Sequence, residues 1–78
     1  MALLPSVHGF IISKLESADY LSHILRARRV GIEDAEVAYL AKTFSTLYYM
    51  RYGVRPGPDT EFKAAVREHL EDRLWSTK

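Results

Sequence analysis

The residues of this chain best suited to chemistry are three histidines and a scatter of carboxylates. An imidazole beside a carboxylate can relay a proton, and two imidazoles one helical turn apart can hold a zinc ion. His8, His23 and His69 lack that spacing, because no two of them stand at i and i+4. The stretch "REHLED" around His69 offers glutamates without the second His that a zinc-protease helix requires. Glu68, Glu71 and Asp72 interleave there with Arg67 and Arg73, the pattern of a solvated helix face. No Ser, His and Asp set, phosphate loop or dinucleotide fingerprint occurs. The chain reads as non-catalytic, with no metal or cofactor called for.

Phosphate recognition is the other chemistry to weigh. "ARRVGIEDAEVAYL", residues 27–40, has the spacing of a helix-turn-helix: small Ala27 before the turn Gly31, apolar Val30 and Ile32 beside it, then Val37 and Leu40. In a DNA reader the first exposed positions of the second helix face base edges and phosphates. Here those positions are Glu33, Asp34 and Glu36. A duplex carrying one negative charge per ~1.7 Å repels them. Arg26 also occupies a position that the motif turns inward. The net charge of +1, from 11 basic and 10 acidic side chains, lacks the basic excess of a nucleic-acid binder. We therefore expect a helical corner over residues 20–42 and no DNA reading. Arg26, Arg28 and Arg29 suit the negative end of a helix dipole. A nucleic-acid-binding regulator using Arg26, Arg28, Arg29, Arg51 and Arg55 is the runner-up.

These residues have to be positioned by helices. Pro5 or Ser6 can open a first helix over 6–16, with Val7, Phe10, Ile11 and Leu15 on one face. Residues 18–29 form a second, with Leu21, Ile24, Leu25 and Arg28 on one side; "ESADY" fits either a break between the two or the interior of one long helix. Gly31 ends it. The third helix, 33–52, has an acidic first turn and a stripe of Val37, Leu40, Ala41, Phe44, Leu47 and Tyr48. "YGVRPGPDT" stops it, and Asp59 or Thr60 caps a last helix over 60–76, with Phe62, Val66, Leu70 and Leu74 inward. No stretch alternates as a strand does. The fold class is all-α, a small single-domain bundle of three to four short helices.

Composition agrees with a folded domain. Hydrophobic residues are 47% and charged residues 27%, ordinary globular usage, and 78 residues suffice for one core. The absence of cysteine rules out disulfides and thiolate metal sites, and fits a reducing compartment, so a cytoplasmic location is expected. The apolar start "MALLPSVHGFIISKL" has no basic n-region and is broken by Pro5 and Lys14, so it reads as core rather than as a leader or a membrane span.

The third helix carries more apolar surface than one face can use. With its stripe centred on Val37, steps of ~100° put Tyr39, Thr43, Thr46, Tyr49 and Met50 on its sides or back, with only Lys42 charged nearby. Either neighbours clamp this helix from both sides, or Tyr39, Tyr49, Met50 and Tyr52 form a recognition surface. "YYMRYGVR" places Tyr49, Met50, Arg51, Tyr52 and Arg55 together, and Tyr, Met and Arg are enriched where proteins bind each other. Trp75 lies 130–140° off the inner stripe of the last helix on a wheel of ~100° steps. The simpler reading curls it back onto the core at a fraying helix end; exposed, it marks a partner site. The function expected is a non-catalytic regulatory protein that binds another protein through an aromatic helical face, inhibiting a partner such as a transcription regulator. A structural homodimer that pairs two copies of the third helix is a third reading.

Overall fold

The computed structural model describes residues 6–75: four α-helices and one turn of 3₁₀ helix, with no strand among the described residues. Pro5, a candidate for the first helix start, and residue 76, the expected end of the last, lie outside the described residues.

Helix α1, Val7–Leu15, begins where the Ser6 hydroxyl accepts a hydrogen bond from the Gly9 N–H at 2.9 Å. It buries Phe10, Ile11 and Leu15. The chain then breaks. Ser17 takes an extended backbone and caps the 3₁₀ turn Ala18–Tyr20, accepting from the Asp19 N–H. Two helices rather than one long helix result, because a serine side chain competes for backbone N–H groups.

Helix α2, Leu21–Val30, buries Ile24 and Ala27. The inner face expected for it is corrected here: Leu21 and Leu25 are about half exposed, and Arg28 is exposed. Half-buried Tyr20 and His23 join Ile24 and Ala27 on the inward side, and at ~100° per residue Leu25 points well away from that line. Gly31 ends α2 at φ 95°, a conformation that costs a side chain, and its N–H donates to the Ala27 carbonyl at 2.9 Å.

Helix α3, Asp34–Tyr52, buries Val37, Leu40, Ala41, Phe44 and Tyr48, as its stripe requires. Gly53 stops it in the left-handed conformation at φ 75°. After the loop, α4, Asp59–Trp75, buries Phe62, Ala65, Val66 and Leu70. The expected corner exists as α2, a three-residue turn and α3, with Ala27, Val37 and Leu40 inward; Val30, expected to pack there, is half exposed.

One core unites the four helices. Edge-to-face ring pairs run through it, Phe44 with Tyr20 at 4.9 Å and Phe10 with Tyr48 at 5.1 Å. Helix α4 packs against α1, α2 and α3. Helices α3 and α4 each keep one long face towards solvent.

Candidate functional site

The carboxylates at the start of α3 are engaged within the fold. Glu36 meets His23 of α2 at 2.6 Å, Glu33 stands 3.8 Å from Arg26, and Asp34 is paired with Arg67 of α4. They fasten α3 to both neighbouring helices, and Arg26 points out to Glu33 rather than into the corner. His23 is also sandwiched by rings, with Tyr39 stacked on it at 5.3 Å and Tyr20 at 6.1 Å. The Tyr20 hydroxyl has its pKa raised above 10.0, chiefly by burial and then by the charge of Asp19.

His8 and His69 meet across α1 and α4, Nδ1 to Nε2 at 2.7 Å, with their rings edge-on. Their separation of 61 residues left no signal in the sequence, since contact between two helices has no fixed spacing. No three His, Cys, Asp or Glu side chains converge into a cluster able to hold a metal ion among the described residues.

The aromatic residues of α3 divide. Tyr39 and Tyr49 are about half exposed, and Met50 is 74% exposed. Tyr52 departs from the expected surface: it packs on the core, 4.9 Å from Tyr48 and 6.2 Å from Phe10. Its position, four residues after Tyr48, continues the buried stripe to the last turn. Trp75 does not curl back. It is 82% exposed, at the far end of α4 from the Tyr49 region; 13 residues separate it from Phe62, a rise of ~20 Å. It borders instead a shallow groove floored by Ala27, Ile32 and Leu74.

Met50 edges one of two grooves that lie on either side of the exposed face of α3. On one side Phe10 and Leu47 form an apolar floor, with Lys14 and Arg51 above it. Lys14 lies over the Phe10 ring at 5.3 Å, and Arg51 over Tyr52 at 5.8 Å. On the other side, between α3 and α4, a groove of about 370 Å³ has Ala38, Ala41 and Phe62 as its floor and Lys42, Lys63 and Arg55 at its rim. Ser45 and Thr46 add hydroxyls, and Asp59 is the one acid lining it. Arg55 is held over the Tyr49 ring at 5.5 Å, so the turn after α3 delivers its guanidinium to that exposed face.

Five cations thus rim the two grooves, with Arg55 over Tyr49 and Lys14 and Arg51 beside Met50, on a protein whose net charge is +1. Compared with family models, curated proteins and solved structures, the chain matches none. Helix length and hydropathy are equally plain: no described helix is long and apolar enough to cross a membrane.

What this arrangement can do is bind. It offers exposed aromatic and thioether side chains on a helix fixed by the core, charged rims, and floors of small and aromatic side chains. Tyr39 and Trp75 lie outside it, one stacked beside α2 and the other at the opposite end of α4.

Proposed function

We propose that this protein is a non-catalytic regulatory module that binds another protein through the Tyr49–Met50 ridge of α3, acting by occupying its partner's surface. The observation that carries the reading is the exposure of Met50 and Tyr49 on an otherwise well-packed helix, beside apolar-floored grooves. Tyr49, with few rotatable bonds and Arg55 over its ring, buries area at small entropic cost when a partner arrives, and Met50 adds adaptable apolar surface beside it.

The nucleic-acid alternative is less well supported. Arg26, Arg28 and Arg29 end α2, whereas Arg51 and Arg55 lie at the opposite end of α3, a helix of 19 residues and so ~28 Å long. They form two separate groups, and Arg26 is already beside Glu33. Pairing two copies face to face through α3 would set the same cations against each other.

Site-specific photocrosslinking in the source cells tests the reading. A benzoylphenylalanine at position 50 or 49 is expected to yield a discrete protein adduct, and one at Glu68, on the exposed face of α4, to yield none. Absence of adducts at 49 and 50, or equal labelling from 68, would sink it.

A further inference from the structure

The ridge has a sign as well as a shape. Lys42 comes from α3, Arg55 from the loop and Lys63 from α4, and none of them makes an ion pair among the described residues. Three other cations are used internally: Arg26 with Glu33, Arg67 with Asp34 and Arg73 with Glu16. Lys42, Arg55 and Lys63 surround a single groove in which Asp59 is the one carboxylate, and Arg51 and Lys14 extend the positive rim past Met50. Most of the other acids lie away from it, at the start of α3 and on the later turns of α4, although Glu61 shares the first turn of α4 with Asp59.

Resting on the reading of this ridge as a protein-binding surface, we infer that its partner is an acidic amphipathic segment. Its apolar side chains would lie against Tyr49, Met50 and the Phe62 floor, and its carboxylates would reach Lys42, Arg55 and Lys63. Charge complementarity selects this occupant, because an acidic segment offers carboxylates to three cations that have no ion pair among the described residues and a neutral peptide does not. A phosphate polymer fits less well. Its sugar–phosphate backbone has no apolar face to set against the floor. The hydroxyls of Ser45 and Thr46 can donate to carboxylates at the groove wall.

The test uses the whole protein and two helix-forming peptides of about 14 residues, roughly 21 Å long, with Leu at i, i+3, i+4 and i+7 and either Glu or Lys at the flanking positions. Fluorescence anisotropy should show the Glu peptide binding at least about tenfold more tightly than its Lys twin, with affinity falling as salt rises. The variant Lys42→Glu, Arg55→Glu, Lys63→Glu should reverse that order. All three positions are on or near the surface, and circular dichroism checks that the variant is folded; Lys42→Gln, Arg55→Gln, Lys63→Gln, which should erase the preference, serves if it is not. Amide resonances of Thr46, Phe62 and Lys63 should move on titration.

Equal affinity for the two peptides, no binding of the Glu peptide, or indifference to the charge reversals overturns the inference. So does a single-stranded oligonucleotide that outcompetes the Glu peptide on the same residues, which would assign the groove to phosphate. Self-association abolished by the charge reversals would assign it to a second copy and overturn it equally. If crosslinks at position 50 persist while the charge variants change nothing, the protein-binding reading stands and the acidic partner alone falls.

Discussion

Replacing Phe44 with Ala and, separately, Met50 with Gln should have opposite consequences, although the residues lie six apart on one helix. Phe44 is fully buried and meets the edge of Tyr20 at 4.9 Å. Truncating such a ring removes its transfer free energy and leaves a cavity, together costing about 3–5 kcal/mol. A domain of 78 residues has roughly 4–12 kcal/mol of stability at ~0.05–0.15 kcal/mol per residue, so Phe44→Ala removes a quarter of it at least and all of it at most. At ~4–8 °C per kcal/mol for this size, the midpoint falls by about 12 °C or more. Met50 is 74% exposed, and Gln matches Met in helix propensity, so Met50→Gln should stay within about 0.5 kcal/mol of wild type. Urea titration followed by circular dichroism at the helix band gives both values at a shared slope. The reasoning is refuted if Met50→Gln costs as much as Phe44→Ala, for then α3 is enclosed on both faces and there is no ridge. It is refuted equally if Phe44→Ala costs under about 1 kcal/mol.

Two further outcomes follow from contacts between helices. Because the folded pKa of Tyr20 is raised, folding favours its neutral form; its contribution is complete below the unfolded value of 10.0 and is lost as pH rises through the folded value, so Tyr20→Phe should flatten the alkaline decline in stability, and an unchanged decline would contradict the burial. His8→Ala and His69→Ala should each cost about 0.5 kcal/mol at this exposed position and the double variant less than their sum, whereas strict additivity in the cycle would mean that the 2.7 Å contact contributes nothing.

The helices, and the inward stripes of all but α2, were legible in the sequence because both are local. A period of 3.6 residues, a capping serine at position 6, and stops at Gly31 and Gly53 depend on neighbours only a few residues away. The stripe Val37, Leu40, Ala41, Phe44 and Tyr48 was therefore fixed before any packing was considered, and so was the all-α class. The break between α1 and α2 was ambiguous, since "ESADY" satisfies a helix interior and a cap alike until Ser17 commits its hydroxyl.

Tertiary structure decided which of the remaining faces stays open. Tyr39, Tyr49 and Met50 have the same composition whether buried or bare; they are bare because the other helices pack on the opposite side of α3 among the described residues. Tyr52 packs against Phe10, a residue 42 positions away, and Trp75 stands exposed at the rim of the groove floored by Ala27, Ile32 and Leu74. The pairing of His8 with His69 and of Asp34 with Arg67, like the gathering of Lys42, Arg55 and Lys63 around one groove, has no counterpart in local spacing. Such contacts are set by how whole helices dock, and docking follows the summed burial of the core rather than the polar groups that it happens to bring together.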